Sequence, residues 1–244
     1  MRDPRRLRSA DGAPGRSASF RGGGLWIRPG QRPLAERRRR RLRQALIALA
    51  LVAAVVAVRL WSQQNGAVVR ARREVPCDAV FYYQGYAGWR DDRMGDSPRT
   101  LGEGGDEVCC LASLMAMREI PVPFPGALNP GTLNAWLSAN GGYDGEGNLK
   151  WKDVAGLLGM TLVERRADRA SAELLEELVK DGTYAVVRVK RADAAPTHEV
   201  LLVGSNHGEF TIVDPEDPSR ALNTLGLYGN RIYGLRYLTR SEQT

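Results

Sequence analysis

The chain holds few side chains able to act as nucleophiles or bases near neutral pH: three cysteines (Cys77, Cys109, Cys110) and two histidines (His198, His207). It has no Cys-x-x-Cys, no His-Glu-x-x-His and no glycine-rich phosphate loop. Metal and nucleotide chemistry therefore lack a framework, and no cofactor is expected. What remains is a cysteine pair opening an apolar run, a histidine opening a strand-like run, and Asp214 closing the next one. A thiol in the first turn of a helix lies against unpaired backbone N–H groups, which favour the thiolate that attacks an acyl carbon. Asp106 and Glu107 work against this by raising the thiol pKa, and both cysteines also fit as small core residues.

The histidine and the aspartate can be related by strand register. If residues 204–208 (GSNHG) form the turn, Val203 stands across from Glu209 and His198 across from Asp214. Both side chains then share a face with Val200, Leu202, Phe210 and Ile212, an arrangement in which a carboxylate orients an imidazole. A turn one residue longer or shorter flips one strand and separates them. The plainer alternative makes Asp214 the start of an Asp-Pro turn and His198 a strand-edge residue. His207, at the turn tip, reads as a solvated loop residue.

The elements that must position these groups follow from pattern. Residues 108–120 (VCCLASLMAMREI) are almost wholly apolar and read as a buried helix. Residues 129–142 begin with Pro and end in paired Gly, and helices are also expected over 151–159 and 167–182. Strands are expected over 79–83, 184–190, 198–203, 209–214 and 231–238. Helices gather in the first half and strands in the second, an α+β arrangement with an antiparallel sheet.

Residues 82–117 resemble the opening of the bacteriocin-processing (double-glycine-type) peptidase-like branch of the papain-like cysteine peptidases. The resemblance rests on Gln84, Trp89, Thr100-Leu101-Gly102, Cys110 and Met117, continues through residues 129–151, and ends in THEVLLVG and EFTIVDP around His198 and Asp214. It implies a papain-like fold, a nucleophilic Cys110, His198 as general base, Asp214 orienting it, and Gln84 with the Cys110 N–H as oxyanion donors. Thiolate attack on a peptide or amide bond and hydrolysis of the thioester would follow. Two positions depart from the pattern: Cys109 stands where the family has Gly, and Glu199 where an aromatic is usual. Cys109 is thus the alternative nucleophile. In an oxidising compartment the odd cysteine count suggests a Cys77–Cys109 disulfide that leaves Cys110 as the thiol. Two other functions fit the same scaffold: a silent module that binds peptide or cell-wall material, and an acyl or peptidyl transferase.

Trp89, Trp136 and Trp151 fit core packing better than a substrate groove, and Asp91, Asp92 and Asp96 fit a solvated loop.

The charge balance assigns the location. The net charge of +7 hides a split: residues 1–44 hold 14 Arg against Asp3, Asp11 and Glu36, whereas from Val75 onward 17 basic residues face 24 acidic ones. The basic character belongs to a Gly-, Pro- and Arg-rich tail expected to be disordered, and a nucleic-acid partner loses its main support. That tail runs into an apolar stretch over 45–61, which reads as a transmembrane signal anchor with Trp61 at the interface. The expected order is a cytoplasmic tail (1–44), a membrane span (45–61), a linker (62–76) and an extracytoplasmic peptidase domain (77–244), in a bacterial cytoplasmic membrane. The expected partners are a peptide or protein substrate and the membrane.

Overall fold

The computed structural model describes residues 34–77, 79–191 and 196–240. Most of the basic tail, residues 1–33, lies outside the described residues, as do the side chains of Arg59 and Trp61.

The chain divides into two units, Met1–Val52 and Ala53–Thr244. Helix α1, Leu34–Asn65, begins before the apolar stretch, so residues 34–44 of the expected disordered tail are helical. Its segment Arg38–Val58 is 21 residues long with a mean hydropathy of 1.9 and no buried residue in its apolar window, long and apolar enough to cross a membrane.

The second unit is mixed α+β. After β1 (Ala67–Val68) come α2 (Leu101–Gly104), α3 (Asp106–Met117), α4 (Pro130–Ala139) and α5 (Trp151–Leu157). Then follow β2 (Met160–Arg166), α6 (Ala172–Lys180), β3 (Ala185–Lys190), β4 (Thr197–Asn206) and β5 (Glu209–Val213). Strands β6 (Asn223–Thr224), β7 (Arg231–Ile232) and β8 (Gly234–Arg240) complete it. Six strands form one sheet in the order β2-β8-β3-β4-β5-β6, every neighbouring pair antiparallel. Strands β1 and β7 make a small second sheet.

Local chemistry sets the helix limits. Asn129 caps α4: its side chain accepts from Thr132 N–H at 3.0 Å, and Asn129 N–H donates to the Thr132 hydroxyl at 3.1 Å. Pro130 takes the first helical position, where a missing N–H costs nothing. Ser171 caps α6 at Leu174 N–H, and Leu175, Leu178 and Val179 form the buried stripe of that helix. Helix α3 is apolar on nearly all sides because nearly all of it is buried.

Two apolar clusters sandwich the large sheet. Helices α3, α4 and α5 cover one face, meeting Val186, Leu201, Val203, Val213 and Leu238. Helix α6 and the chain around β1 cover the other, meeting Val187, Val189, Val200, Leu202, Phe210 and Ile212. Each fully buried side chain of this size contributes roughly 1.5–3 kcal/mol.

Several expectations change. Residues 79–83 form no strand; their aromatics serve burial, with Phe81 and Tyr82 packed half-buried on the α3-side cluster and the Tyr82 hydroxyl donating to Leu128 O. Strand β2 was not expected: its sequence, MTLVERR, lacks clear alternation, yet it pairs along its whole length with β8. The 62–76 stretch is no free linker. Helix α1 runs to Asn65, Val69 and Ala71 are buried, and Val75 bridges Ser205 through N–H···O bonds of 3.0 and 2.9 Å. Gly204 permits that crossing, since a Cβ there would lie 2.9 Å from both Val75 O and the Cys77 side chain.

The β4–β5 register also differs. The turn is the two residues His207 and Gly208, both at positive φ (47° and 81°), and Asn206 pairs with Glu209. A bulge between Leu202 and Gly204 then restores parity, giving Leu202↔Ile212 and Leu201↔Val213. Continued, this ladder sets Asp214 across from Val200, two positions from the expected register. A two-residue shift preserves the face, so His198 and Asp214 still emerge together.

Candidate active site

His198 and Asp214 meet at one end of the sheet, both almost fully buried. His198 Nε2 lies 3.7 Å from Asp214 Oδ1 and 3.1 Å from the Tyr228 hydroxyl, which itself donates to Asp214 Oδ2. Tyr228 comes from the helical turn Leu225–Tyr228, and its ring meets the imidazole edge-on at 5.2 Å. Glu216 N–H donates to Asp214 Oδ1 at 2.9 Å, while Arg191 approaches Asp214 at 3.8 Å and Glu216 at 3.5 Å. Burial opposes a charged imidazole, yet the Asp214 bond and the negative charges of Glu216, Asp214 and Asp106 prevail, and the His198 pKa stands above its ordinary value. Burial likewise opposes an ionised Asp214, but the bonds from His198, Tyr228 and Glu216 hold its pKa below the usual carboxylate range.

Both remaining candidate nucleophiles sit on α3. Cys110 is the fifth residue of α3, fully buried, and its thiol donates to Glu199 O at 3.6 Å. Burial pushes its pKa well up, and the charges of Asp106, Cys109, Glu199 and Asp214 push the same way. Cys109 is also buried, its pKa raised by burial and by Asp106. Among the described residues no hydrogen bond or ion pair joins either thiol to His198. Strand alternation gives the reason: Glu199 and Leu201 face α3, whereas His198 shares the opposite face with Val200 and Leu202. The Cys77–Cys109 disulfide is not formed.

Gln84 is buried near the Asp214 loop, its N–H donating to Pro215 O at 3.0 Å. Its side-chain amide is turned to Gly102 O at 3.3 Å, while Oε1 is buried without a hydrogen-bond partner.

The group at the start of α3 is Asp106. It is the first helical residue, 7% exposed, and its Oδ2 accepts the Glu199 N–H at 2.7 Å. Burial, then the neighbouring Glu199 and Glu107 charges, raise its pKa to about 7. Glu199 pairs with Arg188 at 2.9 Å and lies 3.7 Å from Arg236, which also binds Glu107 and Glu164. Trp151 is structural, its indole N–H donating to Glu107 at 3.0 Å; Trp89 donates to Tyr83 O, and Trp136 packs on Phe124. Asp91, Asp92 and Asp96 are exposed.

Asp106, Tyr228 and Arg188 were not expected as site residues. Asp106 had a visible signal, an acid one turn before Cys110 at the helix start. Tyr228 had none, being placed by topology 30 residues from His198.

No family model matches the chain, and no curated protein matches it either.

Proposed function

We propose that the chain is a membrane-anchored, papain-like peptidase scaffold that binds its ligand without thiol catalysis. The observation that carries this is the occupant of the helix start. A thiol there would gain from the free N–H groups of the first turn, but the position belongs to Asp106, and Cys110 lies a turn deeper with its pKa raised. His198, Asp214 and Tyr228 then form a rigid polar support at the site's edge. The Arg block before the apolar segment keeps the N-terminus in the cytoplasm of a bacterial cell and the α+β unit on the outer side.

The test uses the full chain in detergent or nanodiscs, labelled with an iodoacetamide probe and read by peptide mass spectrometry. Cys110 is expected to label slowly, at a rate unchanged by His198→Ala. Asp106→Cys is expected to create a thiol that labels at least about tenfold faster than Cys110. Rapid labelling of Cys110 that vanishes in His198→Ala would overturn the proposal and restore a cysteine peptidase or transferase.

A further inference from the structure

On the α3 side of the sheet one cross-strand row reads Arg166, Gly234, Arg188, Glu199 across β2, β8, β3 and β4. Three long charged side chains thus flank a position with none, and the gap opens into a cleft of about 540 Å³. Lys190 and Arg236 line the same cleft. The charges there are unevenly satisfied. Arg188 pairs with Glu199, Arg236 with Glu107 and Glu164, and Arg166 with Asp168 at 3.3 Å. The Lys190 ammonium instead rests over the Tyr233 ring at 4.6 Å, with no carboxylate partner among the described residues. A second hollow of about 370 Å³ shares Arg188, Thr197, Glu199 and Arg236 with the first and extends to Asp106 and Glu107. The groove therefore carries charged side chains along its length, mainly cationic around Gly234 and with Asp106 and Glu107 at the start of α3.

We infer that this groove binds a peptide with one carboxylate over Gly234, held by Lys190 and the flanking arginines, and with its N–H groups directed toward Asp106 and Glu199. The inference rests on the binding function proposed above and names its ligand. An anionic polymer fits poorly, because its further charges would meet Glu107, Glu199 and, once ionised, Asp106. The carboxylate can be a chain terminus or an Asp or Glu side chain, and the recognition chemistry is the same.

Fluorescence anisotropy on the full chain in nanodiscs tests this with three labelled alanine-rich peptides: one with a free C-terminus, its amidated form, and an amidated form carrying one internal Glu. At least one carboxylate-bearing peptide is expected to bind about tenfold more tightly than the neutral amide, and the preferred one identifies the source. Lys190→Glu should remove that preference. Gly234→Leu should abolish binding with an unchanged melting curve, since the only atom near a Cβ there is Arg165 O at an ordinary 3.8 Å. Equal affinity for all three peptides overturns the inference, as does tighter binding of polyglutamate or full binding by a folded Gly234→Leu. If that variant fails to fold, Lys190→Glu decides. Mass spectrometry of the recovered peptide separates the two proposals: cleavage would overturn the silent-module function while leaving the carboxylate site in place.

Discussion

The two faces of the large sheet are packed alike and wired differently. Each carries an apolar cluster of fully buried aliphatic residues, and each ends in buried ionisable groups. On the α6 face, His198, Asp214 and Tyr228 satisfy one another, and the carboxylate is held ionised. On the α3 face, Asp106 receives the Glu199 N–H, but burial and then the Glu199 and Glu107 charges raise its pKa to about 7. Burial is the same force on both faces, and the partners decide its outcome. Cys110 belongs to the second environment, where burial first, and then the charges of Asp106 and Glu199, disfavour a thiolate.

Truncating the core should affect both faces in similar measure. Phe210→Ala on the α6 side should cost about 3–5 kcal/mol and Leu114→Ala on the α3 side about 2–5 kcal/mol, measured by urea unfolding. A much smaller cost on one side would show that the clusters are not equivalent.

Titration should then separate the faces. Asp106 has a folded pKa of about 7 against an ordinary 3.8, so the folded state holds its proton more tightly. Its contribution is complete below about pH 4 and is lost as pH rises to about 7, a fall of order 2–4 kcal/mol. Asp214 behaves oppositely: its pKa is depressed, so its contribution is present above 3.8 and lost only as pH falls through the lower folded value. His198, with its pKa raised, contributes below 6.5 and loses this as pH rises through its folded value. The urea midpoint should therefore decline between pH 4 and 7, and Asp106→Asn should flatten that decline. An unchanged slope in Asp106→Asn would remove Asp106 from the account.

Tyr228→Phe should act only on the α6 side. It removes a hydroxyl that donates to a carboxylate and touches the imidazole, a loss of about 1.5–3 kcal/mol. The Asp214 pKa should rise toward its ordinary value, followed by carboxyl NMR, while the pH 4–7 slope from Asp106 stays.

Much of the scaffold could be read from local pattern. The caps of α4, the stripe of α6 and the apolar runs of β3 to β5 each encode their element within about ten residues. The partnership of His198 and Asp214 was also legible, because two-residue periodicity places them on one face even though the expected turn was too long. Strand β2 was not, since its pairing with β8 depends on residues more than 60 positions away. Nor was the choice between Cys110 and Asp106. It depends on how deeply α3 enters the core, and one helical turn decides whether a side chain meets the strand end or the interior. Glu199, a charged residue inside a buried strand, has its reason in Arg188 and Arg236.

The smallest effect concerns the device that keeps the faces in register. His207 holds a left-handed φ of 47° in a two-residue turn, a conformation that suits Asn or Gly better than His. The neighbouring Gly208, at 81°, already meets the demand of the second position. His207→Asn should therefore stabilise the domain by about 0.5–1 kcal/mol, with no change in the His198 or Asp214 titrations. If those titrations moved, the hairpin would have re-registered, because a one-residue slip would send Asp214 to the α3 face and leave His198 without its carboxylate. The bulge at Val203 explains why this does not happen in the native chain: it absorbs the single residue by which the tight turn would otherwise put the two strands out of phase.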